Sequence, residues 1–568
     1  MPGRGHRGSC PDQPVAGALR DQTRRMEPLV NRAPQPPPCV RFEDEHLLLA
    51  LKPAGWNTHA PAPFAGEGLY DWLRHREPRW SGLSILHRLD KDTSGLLVFG
   101  KTPLANRSLT DQFTRRVIRK KYLLLTRTRP PKDKFQVAVG LERQGARYRP
   151  SRQGAPAETH FQVCARQPFS GATLIEAQPL TGRTHQIRSH AAEAGIPILG
   201  DPLYGGPPAP RLCLHAAELA FHHPATGEWT VFTAPPDFAS EPRLALRRAL
   251  FWPEETDACR LIHGAADGFP GWQADRLGPY LLLATREGSA AWASVLGDWL
   301  RRCGAESGFH PSGIYGKTLD RLVRRARPEA ASPRLWSGCA APDPFPVREN
   351  GVGFELSFAE GYSTGLFLDQ RDNRRRLLTG HIAGDFPPLN DLPAPPRLLN
   401  VFAYTCAFSV CAALRGLPTT SLDLSRKYLE WGRRNFQLNG LDPSAHEFIH
   451  GDAFNWLKRL NRKGRRFEII VLDPPTFSQS REHGVFRAAS DFGQLAALAL
   501  PLLAPGGLLL ASTNAALLAP EDFLEMTNMA LRQARRRLLA SAYFPQPPDF
   551  PITAEEPAYL KTVWLRIA

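Results

Sequence analysis

Arg397-Leu-Leu-Asn-Val-Phe402, Thr420-Ser-Leu-Asp-Leu424, Phe467-Glu-Ile-Ile-Val-Leu-Asp473 and Gly507-Leu-Leu-Leu-Ala-Ser512 are short apolar runs of strand length. Helix-length patterns over 408–415, 426–439 and 491–503 separate them. Strands alternating with helices predict βαβ units and a parallel sheet. The Pro-rich segment 386–397 in front of the first run reads as a surface insertion or linker.

Moving outward, the N-terminal half has a different grain. Strand-like runs at 46–51, 94–99, 121–125 and 173–177 are separated by turns, which predicts a mixed α+β domain with antiparallel sheet. Between the halves, a strand at 280–284 and a helix near 289–303 predict a small central α+β domain. The fold class is thus multidomain α/β, ending in a Rossmann-like domain. The expected division is a disordered basic tail over 1–38 and domains over 39–250, 251–346 and 347–568. Residues of the tail are rich in Arg, Gly and Pro.

The composition, 42% hydrophobic and 22% charged in 568 residues, is that of a globular chain. A net charge of +16 suits a polyanionic partner such as nucleic acid. The nine Cys are odd in number and include no CxxC pair, so neither a disulfide framework nor a zinc site is expected. The N-terminus has no apolar signal segment, and Pro and Gly interrupt the most apolar stretch, 494–511. A cytoplasmic protein without membrane or metal is expected.

His87-Arg-Leu-Asp-Lys-Asp-Thr-Ser-Gly95 packs two carboxylates and two cations into one turn. Locally this reads as a solvated turn with an ion pair. Extended to Val98, however, it resembles the signature of the RluA-type pseudouridine synthases. So do 43–59, Lys120-Lys-Tyr122, Thr181-Gly-Arg-Thr-His-Gln-Ile-Arg-Ser-His190, 198–205 and 214–224, in the right order over about 40–240. The resemblance implies isomerisation of uridine to pseudouridine in RNA, without a cofactor. It makes Asp90 the catalytic carboxylate. Tyr122 would stack on the flipped uracil, and Arg183 would pair with Asp90. Arg88 would enter the RNA stack in place of the extruded base. His87 and Arg188 join Arg88 as RNA-binding candidates, while His185, Gln186 and Arg188 also read as members of a structural network.

A nucleoside cofactor at the carboxyl ends of parallel strands needs a permissive loop, an acid after the second strand and a further polar group. The chain offers 400–409 with Phe402, Tyr404 and Thr405, then Asp423 and Asp452, then Asp473-Pro474-Pro475-Thr-Phe477. Prolines stiffen that last turn and remove competing N–H groups, leaving acceptors to orient an amine or ring nitrogen. Residues 258–568 resemble the class I methyltransferases of the RlmI and RlmK type, which act on large-subunit ribosomal RNA. Residues 260–276 resemble the start of that group's central domain, and 361–375 its signature ahead of the cofactor strand. The resemblance implies S-adenosylmethionine as cofactor, with Gln370, Arg371 and Arg374 near cofactor or substrate and Asp473, Pro474 and Pro475 catalytic. The cofactor loop departs from the group's pattern, with Cys406 and Ala407 where Gly is usual. Cytosine-C5 methylation needs a Cys nucleophile, and no Cys lies near Asp473 or near Ala511-Ser-Thr-Asn514. A nitrogen acceptor, on guanine, is therefore expected.

The expectation is one chain with two RNA-modifying activities on 23S ribosomal RNA. The alternatives are an active synthase with a methyltransferase-like RNA-binding arm, cytosine-C5 methylation, or an assembly factor without chemistry. Neither target nucleotide nor oligomeric state is expected from the sequence.

Overall fold

The computed structural model describes residues 35–169, 171–285, 293–318, 331–392, 395–480 and 484–568. Most of the expected basic tail lies outside the described residues. Its last part is docked, because Trp252 Nε1 donates to the Pro36 carbonyl at 2.8 Å.

The N-terminal strands form one sheet in the order Val40–Glu43, Leu47–Lys52, Ser94–Gly100, Leu214–His222, Arg119–Thr126, Ala172–Pro179, Glu158–Phe169 and Lys134–Ala138. Every pairing along this row is antiparallel except one, where Ser94–Gly100 runs parallel to Leu214–His222. That exception needs Gly95. It has φ +128, and a Cβ there would stand 2.4 Å from the backbone N and O of Ala216. The turn His87–Thr93 therefore emerges at a fixed point beside the parallel seam.

The helix Pro242–Leu250 leads into a sheet of Ala258–His263, Trp272–Leu277, Tyr280–Thr285, Gly313–Thr318 and Arg334–Gly338. This central sheet shares a core with the first domain: Leu48, Trp56, Leu97, Leu244, Leu250, Ile262 and Trp299 belong to one buried cluster.

The last sheet has the order Glu447–His450, Thr419–Asp423, Leu398–Val401, Phe467–Leu472, Leu503–Thr513, Lys561–Ile567 and Leu538–Phe544. The first five strands are parallel and the last two antiparallel. Strands fully buried on both faces read as continuous apolar runs, which is why 467–472 was recognisable. The helix expected over 491–503 runs Ala488–Ala499 and stops ahead of Pro501, which cannot continue it. Strand order reverses between Leu398–Val401 and Phe467–Leu472, the position where open α/β sheets hold ligands.

The segment 386–397 is not a free linker. Phe386, Leu389 and Leu392 are buried, and Arg566 donates to the carbonyls of Pro388 and Asp391 at 3.3 Å. The two large halves also touch directly. The helix Arg371–Thr379 presents Arg375 to Glu77, Arg74 pairs with Asp385 at 2.7 Å, and Phe64 packs edge-on against Tyr543. Among the described residues no helix is long and apolar enough to cross a membrane.

Candidate functional site: two clefts on one chain

The first cleft has a volume of about 1060 Å³ and is lined by Asp90, Arg88, Tyr122, Arg183, His185 and Arg188, among others. Asp90 is 24% exposed. The expected pairing with Arg183 is absent. Arg183 is exposed, and its Nε donates to the Pro156 carbonyl at 3.2 Å. Arg188 stands 3.8 Å from Asp90 and His185 stands 4.0 Å away. The reason is local. His185 adopts a left-handed φ of 54 as N-cap of Gln186–Glu193, which redirects the chain and puts Arg188 on the inward side of that helix. Arg188 is held by two 2.7 Å bonds to the buried Asp201, and its guanidinium lies over the Tyr204 ring. Expected to bind RNA, it is instead a buried cation behind the turn His87–Thr93.

Gln186 is fully engaged. It accepts from Thr181 and from the Arg183 amide and donates to the Glu158 carbonyl and Thr159. His87 is also turned inward. Its Nε2 accepts the Val98 N–H at 3.1 Å, and burial pulls its pKa down to about 3, so it stays neutral rather than meeting phosphate. Arg88 is exposed, with His59 at 3.2 Å. Tyr122 carries a hydroxyl whose pKa is raised by burial and then by the charge of Asp90.

Sequence reasoning missed Lys52. Fully buried, its Nζ donates to the carbonyls of Pro53, Trp56 and Lys91 at 3.0, 2.7 and 2.8 Å. It ties the turn after Leu47–Lys52 to the turn His87–Thr93. Burial lowers its pKa to about 7, against the pull of Asp92 and Asp90. Lys52→Met takes a donor from three carbonyls; the Lys91 carbonyl keeps the Gly55 amide at 2.9 Å, while those of Pro53 and Trp56 lose theirs. It is expected to destabilise the chain by about 3 kcal/mol, at roughly 1–3 kcal/mol per orphaned buried group; thermal unfolding checks this, and an unchanged melting temperature contradicts it.

The second cleft, about 310 Å³, opens at the carboxyl ends of the parallel strands. Phe402, Tyr404, Thr405, Asp423, Asp452, Asp473, Pro474, Pro475, Gln370 and Arg374 all line it. Asp423 accepts the amides of Tyr404 and Ser425, each at 2.8 Å, and burial raises its pKa. Asp452 caps the helix Ala453–Arg462 through the Asn455 amide and accepts from Ser480 at 2.8 Å. Gln370 Nε2 donates to Asp473 at 3.1 Å and to Ser512 at 2.8 Å. Asp473 is pushed up to about 7 by burial and then by Asp369. Arg374 donates twice to Glu349 at 2.6 Å, so its charge is already matched. Arg371 does not line the cavity. Its guanidinium is spent on Asp549 at 2.9 and 2.6 Å and stacks on Phe251. The expected place near cofactor or substrate is therefore wrong for Arg371: an arginine so buried is committed to its carboxylate.

The loop without its usual Gly keeps the backbone such Gly residues allow. Phe402, Tyr404 and Cys406 have φ of 62, 50 and 62, each at a cost of roughly 1–2 kcal/mol. Cys406 fits because position 432 is Gly: a Cβ there would stand 2.4 Å from the Cys406 sulfur. Gly432→Ala is expected to cost about 1–3 kcal/mol by overpacking, and Cys406→Gly in the same chain is expected to restore it. Melting temperatures of the single and double variants decide; a double variant no more stable than the single one contradicts the pairing. Cys406 is no nucleophile, since burial raises its thiol pKa to about 12. Among the described residues no cysteine lines this cavity, and no group of acidic, His or Cys side chains could hold a metal ion.

Both halves of the chain have counterparts among known protein families. The RNA pseudouridylate synthase family matches residues 46–193, and the S-adenosylmethionine-dependent methyltransferase family matches 311–566. A ribosomal RNA large subunit methyltransferase from Deinococcus radiodurans is 34% identical over 339 residues, 57% of this chain and 77% of its own length. The chain belongs to that methyltransferase family. Ribosomal RNA large subunit methyltransferase I of Erwinia tasmaniensis is 31% identical over 329 residues, 57% of this chain and 78% of its own. The solved structure of human RNA pseudouridylate synthase domain containing 1 aligns at 26% identity and a TM-score of 0.30, over 35% of this chain and 82% of that one. Methyltransferase family members thus match the C-terminal side of a chain that also carries a pseudouridylate synthase domain.

Proposed function

We propose that this chain modifies 23S ribosomal RNA twice, isomerising a uridine in the first cleft and methylating a base nitrogen in the second. The observation that carries the reading is the pair of separate clefts, each with a carboxylate beside polar partners. The relatives' name, ribosomal RNA large subunit methyltransferase, supports the substrate.

In the first cleft Asp90 attacks the nucleotide as nucleophile or takes a proton as base. Arg188, and not Arg183, is the cation that faces it, at 3.8 Å. Tyr122 stacks on the uracil. Arg88, exposed at the rim, fills the gap left by the flipped base, offsetting part of an unstacking cost of a few kcal/mol. The isomerisation calls on no cofactor in this scheme.

The second cleft fits a nucleoside cofactor: Asp423 faces the cavity at the end of the second strand, and its loop partners Phe402, Tyr404 and Thr405 form the adjoining wall. S-adenosylmethionine there supplies an electrophilic methyl group. Asp423 holds ribose hydroxyls, while Phe402, Tyr404, Thr405 and Asp452 shape the rest of the pocket. Gln370 fixes Asp473, and Pro474 and Pro475 stiffen the turn that receives the base. The absence of a cavity cysteine favours a nitrogen acceptor, on guanine, over cytosine C5. The intact cavity favours an active methyltransferase over an RNA-binding arm.

The test is direct. Purified chain with a 23S transcript carrying 5-tritiated uridine is expected to release tritium, because carbon–carbon bonding at C5 expels that hydrogen. With methyl-tritiated S-adenosylmethionine the same chain is expected to label the RNA. Release without labelling contradicts the methyl-transfer half.

A further inference from the structure

The run Arg115-Arg-Val-Ile-Arg-Lys-Lys121 carries five cations. Three are matched by carboxylates: Arg115 pairs with Asp111 at 2.9 Å, Arg119 with Glu218 at 2.8 Å, and Lys121 stands 3.6 Å from both Glu176 and Glu218. Arg116 and Lys120 have no ion pair or side-chain hydrogen bond among the described residues, and both line the first cleft. Arg119 reaches the same cleft with its charge already matched.

Arg116 holds a backbone position that suits Gly. After the helix Pro103–Thr114, the Arg116 amide donates to the Phe113 carbonyl at 3.2 Å and the Val117 amide to the Gln112 carbonyl at 3.0 Å. Such an ending needs a left-handed residue, most often Gly, and Arg116 supplies it at φ 60. Strain alone marks no site, since Arg535 does the same after Pro520–Gln533. Arg116 differs in lining a cleft.

Lys120 precedes Tyr122 by two residues on the strand Arg119–Thr126, so both side chains stand on one face, about 7 Å apart along the strand. Its ammonium lies beside the turn at Gly182, where a Cβ would come 4.0 Å from Nζ. Lys120 is half-buried, and burial lowers its pKa with no carboxylate opposing the shift. A cation held out of water without a partner is costly, and an arriving anion removes that cost.

We propose that Arg116 and Lys120 bind backbone phosphates beside the uridine extruded into the first cleft. This rests on the isomerisation proposed above. The three matched cations of the run already face carboxylates. The two unmatched ones are free to neutralise phosphate and release its counterions.

The experiment uses the full chain, wild type, Arg116→Gly, Arg116→Lys and Lys120→Met. It reads melting temperature, filter retention of a 23S transcript against salt, and kcat and KM for tritium release from 5-tritiated uridine in that transcript. Each lost phosphate contact is expected to flatten the log–log salt slope by about one. It is expected to raise KM by about tenfold, with the change in kcat the smaller part. Arg116→Gly is expected to melt at or above the wild-type temperature, because Gly suits that backbone, while binding RNA more weakly. Arg116→Lys is expected to recover most of the affinity. An unchanged slope in Arg116→Gly or Lys120→Met overturns the contact for that residue. A lowered melting temperature in Arg116→Gly makes Arg116 structural, and a fall in kcat alone in Lys120→Met puts that lysine on the chemistry; each overturns the phosphate assignment. Wild type that binds the transcript with a steep salt slope yet releases no tritium overturns the functional reading instead.

Discussion

Asp90→Asn is expected to lower pseudouridine formation by more than about 10³-fold, the scale of losing a nucleophile or its base, while methyl transfer continues at the wild-type rate. The substitution preserves size and one acceptor oxygen but removes the charge that Arg188 and His185 face at 3.8 and 4.0 Å. Arg188 keeps its bidentate hold on Asp201, so the cleft does not lose its buried cation. The loss is therefore chemical and not a collapse. Tritium release from 5-tritiated uridine measures it, with methyl incorporation into the same RNA as the internal control. Residual isomerisation within tenfold of wild type contradicts the role given to Asp90.

Asp423→Ala is the second large effect. Its carboxylate holds the amides of Tyr404 and Ser425 and lines the cavity. Removing it takes away the acceptor for ribose hydroxyls and frees a loop with left-handed Phe402, Tyr404 and Cys406. At roughly 1.5–3 kcal/mol per hydrogen bond to a charged group, two such bonds amount to about 3 kcal/mol or more, over 100-fold in Kd. Calorimetry with S-adenosylhomocysteine reads this, and pseudouridine formation is expected to persist. Affinity unchanged by the substitution contradicts the placement of the cofactor.

The difference between what was legible in sequence and what was not has a physical pattern. The last domain was legible because its buried parallel strands are unbroken apolar runs, with Asp423 ending one of them and Asp473 standing immediately past another. That Asp90 and Tyr122 line one cleft follows from motifs that are local and a sheet that brings them together: Tyr122 pairs with Ala216, one residue past the parallel seam partner of Ser94. What failed depends on a single dihedral or on distant pairing. The left-handed turn at His185 decides that Arg188 rather than Arg183 faces Asp90, and nothing in residue type announces it. Arg371 looks like any motif arginine until Asp549, far along the chain, is placed against it. The contact of Glu77 with Arg375 is equally non-local. The segment 386–397 did carry a signal: Phe386, Leu389 and Leu392 recur at threefold spacing, and that apolar row is what buries it. Lys52 was hidden because a lysine ahead of Pro-Ala-Gly reads as a surface turn, while its three carbonyl partners come from two separate turns.

The claim that one chain makes two marks on large-subunit RNA is tested most directly by removing its gene and mapping 23S rRNA. Pseudouridine has the mass of uridine, so it is labelled chemically before digestion into fragments for mass spectrometry. The account predicts that one uridine site loses its pseudouridine label and one base loses a methyl group, and that re-expression of the Asp90→Asn chain restores only the methyl. Ribosomal RNA in which only the pseudouridine, or neither mark, disappears would contradict it.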